Sequence, residues 1–179
     1  IIPVSADSIS EAIRMGCEVF HSLKNLLRKN GLATAVGDEG GFAPALKDTN
    51  DALDYILEAI ETAHYTPGKD FLLALDCASS EYFDGEKYNL EGEDLKLNQE
   101  QNIQYLIDLQ EKYPIVSIED GMAEDDWTGW TSLTAKTGSR CQLVGDDLFA
   151  TNPKRLMDGI QNKAGNAILI KYGLDSPIP

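Results

Sequence analysis

Tyr113-Pro114-Ile115-Val116-Ser117-Ile118-Glu119-Asp120 is an apolar run fenced by proline on one side and by two acids on the other. Apolar runs return in Gln142-Leu143-Val144-Gly145-Asp146-Asp147, which again ends in two acids, and in Ala167-Ile168-Leu169-Ile170-Lys171, which ends in a lysine. Upstream, Phe71-Leu72-Leu73-Ala74-Leu75 runs into Asp76 in the same manner. Short, almost wholly apolar runs are expected of parallel strands buried on both faces. Helix-period patterns lie between them. One uses Ile103, Leu106, Ile107 and Gln110 and closes at Tyr113-Pro114. Another is built around Trp127, Trp130 and Leu133, and a third follows Asn152-Pro153, a cap with proline in the first turn. Strands alternating with amphipathic helices make parallel βα units, so the expected class is α/β, a barrel or part of one rather than an open sheet. No glycine-rich dinucleotide or P-loop fingerprint follows any of the strands, which lowers both of those readings.

The amino-terminal third is helical in pattern. Ser8-Ile9-Ser10-Glu11 has the form of a capping box, and Ile9, Ile13, Phe20, Leu23 and Leu27 recur at helical spacing up to Asn30-Gly31. A second helix is expected after Thr49-Asn50, with Leu53, Ile56, Leu57 and Ile60 on its apolar face, ending before Thr66-Pro67-Gly68. Tyr82 to Tyr88 reads as a hairpin or an excursion around Asp84-Gly85.

At 179 residues the chain is one domain or a large part of one, and 42% hydrophobic with 25% charged residues is globular composition. The formal net charge of −15 disfavours nucleic acid and anionic membrane surfaces as partners. It leaves room for an anionic substrate if a cation supplies local positive charge. No apolar run approaches the roughly 18 residues of a membrane span, and Ile1-Ile2-Pro3-Val4 has no signal-peptide character. Cys17, Cys77 and Cys141 are far apart and in no metal-binding spacing. Reduced thiols in a cytoplasmic protein are the simplest reading.

In parallel α/β folds the carboxyl ends of strands converge on the face where ligands bind. Here those ends are Val36-Gly37-Asp38-Glu39, Leu75-Asp76, Ile118-Glu119-Asp120, Val144-Gly145-Asp146-Asp147 and Ile170-Lys171. With acids at 30 of 179 positions, Asp76, Glu119 and Asp146 all falling there by chance has odds of about 1 in 200. A functional reading is therefore favoured over helix capping, the ordinary use of an acid before a helix. Carboxylates brought together repel unless a cation lies between them, and oxygen-only ligands suit Mg2+ before Zn2+.

Lys171, ending an apolar strand beside such a site, is expected to be desolvated, with its pKa lowered toward that of a general base. The plainer alternative is a salt bridge to one of the same acids. Glu39 stands among Gly37, Gly40 and Gly41, where backbone freedom suits a general acid on a mobile wall; the plainer alternative is a glycine turn. Acid and base across a metal-bound carboxylate make the arrangement for abstracting a proton next to a carboxylate. Among weaker signals, His21 and His64 read as structural, Trp127 and Trp130 as core-facing, Cys77 as buried packing, and Glu124-Asp125-Asp126 as complement to a helix dipole.

At these residues the chain resembles the enolase family. The strings that carry the likeness are Val36-Gly37-Asp38-Glu39-Gly40-Gly41-Phe42-Ala43-Pro44, Leu73-Ala74-Leu75-Asp76-Cys77-Ala78, Tyr113 to Asp120, Leu143-Val144-Gly145-Asp146-Asp147-Leu148 and Ile168-Leu169-Ile170-Lys171. The resemblance implies part of a TIM-like catalytic barrel over residues 1–171, with a departing tail at 172–179. It implies Mg2+-dependent, reversible dehydration of 2-phosphoglycerate to phosphoenolpyruvate, a glycolytic reaction, in a cytoplasmic homodimer or larger assembly. By position, Glu39 would be the proton donor to the leaving hydroxide and Lys171 the base, with Asp76, Glu119 and Asp146 binding Mg2+. A base and Mg2+ stabilising an ene-diolate is the general pattern of that superfamily. The family's capping domain and phosphate-gripping segments have no counterpart in these residues. Two alternatives therefore stay open: a superfamily member acting on another carboxylate, and a non-catalytic fragment or scaffold that retains the metal-binding acids.

Overall fold

The computed structural model describes residues 1–171, so the tail 172–179 lies outside the described residues. Contacts divide the chain into two compact units, Ile1–Leu73 and Ala74–Pro179. The division falls inside a strand rather than in a linker, and the sequence carries no linker composition there.

In the first unit, β1 (Ile2–Pro3) pairs antiparallel with the start of β2 (Phe71–Asp76), in the register Ile2 to Leu72 and Pro3 to Phe71. Helix α1 (Ile9–Lys29) begins at Ser8, whose hydroxyl accepts the Glu11 N–H at 3.2 Å. The Glu11 carboxylate turns instead to Arg14 at 2.6 Å. Helix α2 (Thr49–Thr62) is capped by Asp48, which accepts the Asp51 N–H at 2.8 Å, and packs on α1. The apolar stripe read from spacing is only partly the buried one. Met15, Val19, Leu26 and Leu27 are buried, whereas Ile9 and Ile13 are exposed. Val36 does not end a strand: it makes an isolated antiparallel bridge to Phe42 around the glycine loop.

In the second unit, the end of β2 is followed in sheet order by β5 (Ile115–Glu119), β6 (Gln142–Gly145) and β7 (Ala167–Ile168). β5 and β6 are parallel, with Ser117 opposite Gln142 and Glu119 opposite Val144. β6 and β7 are parallel, with Val144 opposite Ala167. β7 is shorter than its apolar run, ending at Ile168, after which the Leu169 N–H still reaches the Gly145 carbonyl at 3.1 Å. These are the expected α/β units of a barrel. Burial on both faces holds for Leu143, Val144 and Gly145, but β2 alternates, with Phe71 and Leu73 buried and Ala74 and Asp76 exposed.

The connecting helices are α3 (Gln99–Lys112), with a complete Asn98–Gln101 capping box, α4 (Trp127–Thr137), capped by Asp126, and α5 (Pro153–Asn162), capped by Asn152. Trp130 is fully buried and donates its indole N–H to the Ala123 carbonyl at 3.2 Å. Trp127 is only half-buried, under the Arg155 guanidinium at 5.3 Å. The Asp84-Gly85 turn forms as expected, the Asp84 carboxylate accepting the Glu86 and Lys87 N–H groups at 2.9 and 2.7 Å. An adjacent hairpin, β3 (Tyr88–Leu90) with β4 (Leu95–Leu97), was not expected; at three residues each, its strands are too short for their alternation to stand out.

The loop after β6 folds back over its own strand. A Cβ on Gly145 would meet the buried Phe149 ring at 2.6 Å, and one on Gly159 of α5 would strike the same ring. Gly145→Val should therefore cost about 1–3 kcal/mol as Phe149 is pushed from its place, read as a shifted midpoint in urea unfolding.

Candidate metal and proton-transfer site

Parallel pairing brings the ends of β5 and β6 level. Along β5, Ile118 is buried with Leu106 and Leu133 close by, so alternation turns Glu119 to the opposite face of the sheet. Beyond the strands the Cys77 N–H bonds the Glu119 carbonyl at 2.9 Å and the Ser79 N–H bonds the Asp120 carbonyl at 3.1 Å. The segment that follows Asp76 is thereby tied to the end of β5.

Among the described residues, oxygen atoms of Glu119, Asp120 and Asp146 lie within 4.8 Å of one another. Asp76 is exposed at the end of β2 and uses one oxygen to accept the Ala78 N–H at 3.2 Å. Its charge is nevertheless felt at Glu119. Burial pushes the Glu119 carboxyl above its usual range, and Asp76, Asp146 and Asp120 push it further, against a smaller pull from Lys171. The gathered anions thus add to an effect that burial begins. None of these strand-end acids caps a helix, since the caps are Ser8, Asp48, Asn98, Asp126 and Asn152.

Lys171 places its ammonium 2.5 Å from Asp146 Oδ2. The expectation of a desolvated amine with a lowered pKa is corrected. The side chain is 64% exposed, and the hydrogen bond to Asp146, then the charges of Asp146, Asp147 and Glu119, hold its pKa above the usual value. The salt bridge kept as the plainer reading is what forms here. The Lys171 backbone N–H is held by the Thr151 hydroxyl at 3.1 Å. Thr151 and Ala150 both have positive φ, 52° and 44°, a strained conformation for residues with a Cβ. Nothing in the sequence pattern marked Thr151 out.

Asp120 also escaped selection. It follows the last residue of β5 in a left-handed backbone, φ +42°, so strand alternation does not set the direction of its side chain. It is buried, with its carboxylate accepting the N–H groups of Asp146, Asp147 and Leu148 at 3.1, 2.8 and 3.4 Å. Cys77, read as buried packing, is half-buried; desolvation and then the neighbouring Asp76 and Asp120 charges raise its thiol to about 12.

Glu39 belongs to the first unit. It is exposed in a turn closed by the Gly40 N–H on the Gly37 carbonyl and the Gly37 N–H on the Gly41 carbonyl, both 2.9 Å. Gly40 has φ +82°, which accounts for a glycine there.

The oxygen-only group of Glu119, Asp120 and Asp146 is compatible with a hard divalent cation, and Asp76 ends the neighbouring strand of the sheet. No described helix is long and apolar enough to cross a membrane. A model of the family "Enolase, C-terminal TIM barrel domain" matches residues 1–174. With the parallel βα units and the strand-end acids in place, that match gives the chain its family: it belongs to the enolase C-terminal TIM barrel domains.

Proposed function

We propose that this domain serves the enolase reaction itself, the Mg2+-dependent, reversible dehydration of 2-phosphoglycerate to phosphoenolpyruvate, in the cytoplasm and as a homodimer or larger assembly. The observation that carries the reading is the Lys171 ammonium 2.5 Å from Asp146, next to the gathered carboxylates. A basic side chain and a cation site are thus neighbours, as proton removal beside a carboxylate requires.

Asp76, Glu119 and Asp146 would hold the cation. When bound, it would supply positive charge to the substrate carboxylate and to Asp146, which now draws that charge from Lys171. The Lys171 amine, once it has given up its proton to water, would accept the one on C2 of the substrate. The Thr151 contact fixes the backbone from which Lys171 extends, limiting the positions its amine can take. Glu39 takes the role of proton donor to the departing hydroxide on the strength of the family resemblance.

The test is phosphoenolpyruvate formation from 2-phosphoglycerate by the purified chain, with and without Mg2+. Mg2+-dependent formation is expected. A chain that binds Mg2+ yet forms no phosphoenolpyruvate would overturn this reading.

A further inference from the structure

We propose that Asp120 is a positioning residue for the cation site: it grips the chain after β6 through three backbone N–H groups, sets the Asp146 carboxylate beside Glu119, and is not itself a ligand. The inference rests on the proposed cation-dependent reaction and adds a residue to which the family resemblance gives no role.

Three acids converge, yet they are not equivalent. Asp146 spends its carboxylate on the exposed Lys171 side chain, a partner that a cation can replace. Glu119 faces other anions, with Lys171 as the opposing charge. Asp120 is different in kind, because its partners are main-chain donors. Oδ1 takes the Asp146 and Leu148 N–H groups and Oδ2 takes that of Asp147. Successive N–H groups of this sort form a concavity for an anion, and the anion here is built into the chain.

The backbone of Asp120 is fixed as firmly as its side chain. Its N–H donates to the Val144 carbonyl at 2.9 Å and its carbonyl accepts the Ser79 N–H at 3.1 Å. Asp120 thus joins the segment after β2, the end of β5 and the loop after β6, the places that carry Asp76, Glu119 and Asp146. It does so at φ +42°, a conformation that a residue with a Cβ adopts at a cost, and it is only 2% exposed. A cation drawing on Asp120 would compete with donors that cannot swing away, and would loosen the loop that presents Asp146. Residues that orient a ligand from behind typically alter metal affinity 10- to 100-fold when changed.

The experiment pairs Mg2+ calorimetry with amide hydrogen exchange on the whole chain. Asp120→Asn keeps the size but sets an NH2 group against N–H donors. It should raise the Mg2+ dissociation constant about 10- to 100-fold and speed exchange at 146–148. Leu109→Ala, a buried change in α3, serves as the stability control: it should lower the melting temperature and leave Mg2+ affinity in place. Should Asp120→Asn not fold, Asp120→Glu retains the charge while displacing the anchored loop, and the same loss of affinity is expected. Unchanged affinity in a folded Asp120 variant, with the parent chain binding Mg2+, overturns this inference alone. So does a loss as complete as that of Asp146→Asn with 146–148 still protected, since Asp120 would then be a ligand. A parent chain that binds no Mg2+ overturns both this inference and the reaction on which it rests.

Discussion

Lys171→Ala should reduce exchange of the C2 proton of 2-phosphoglycerate about 10²- to 10⁴-fold, the range that a positioned general base supplies. The experiment is solvent deuterium incorporation at C2 with Mg2+ present. The prediction separates base from ligand because Lys171 contributes no oxygen to the cation, so Mg2+ affinity should hold or rise slightly. A rise is reasonable since Asp146 loses the ammonium 2.5 Å away that competes with the ion. Exchange that survives in the Ala variant would remove Lys171 as the base. Lys171→Arg discriminates further: it keeps a cation near Asp146 but one that cannot be deprotonated, so exchange should stay lost.

Asp146→Asn should weaken Mg2+ binding by more than about 100-fold, beyond what loss of an orienting residue brings. It removes a charged ligand and leaves Glu119 to hold the ion with Asp76. It also takes the Asp146 carboxylate from Lys171, so the variant should combine weak metal binding with weak exchange. The dependence on pH has a definite sign. Glu119 has its pKa raised in the folded chain, so as pH climbs through the carboxylate range the unfolded chain loses this proton first. The ionised group then costs stability in the metal-free protein, and bound Mg2+ offsets that cost. Mg2+ should therefore raise the melting temperature more at neutral pH than at the acid end of that range. Mg2+ affinity unchanged by Asp146→Asn would sink the carboxylate site.

The positions of Asp76, Glu119, Asp146 and Lys171 could be read from sequence because each follows an apolar run, and parallel strands deliver their carboxyl ends to one face. What the acids and the lysine do to each other was harder to read. The direction of the Lys171 shift depends on a contact with Asp146 and on exposure, and neither is contained in a spacing. Asp120 was invisible for a related reason: its three N–H partners lie across a neighbouring strand and are reached through a left-handed backbone. Helical spacing located α1 but misjudged its buried face: Met15, Val19 and Leu26 are buried on a face turned away from that of Ile9 and Ile13, which are exposed. The glycine loop was read as a strand end because Val36 precedes it, yet a single bridge to Phe42 is all that forms. Caps were the most legible elements, Ser8 and Asn152 standing where their short polar side chains meet free N–H groups.

Every role proposed for this chain depends on acids from the ends of successive strands forming a hard-cation site. Calorimetric titration of Mg2+ into the chain at neutral pH tests it most directly. A single saturable site, with affinity that falls as the carboxylates are protonated, is the predicted result. No saturable binding, or binding indifferent to pH across the carboxylate range, would contradict it.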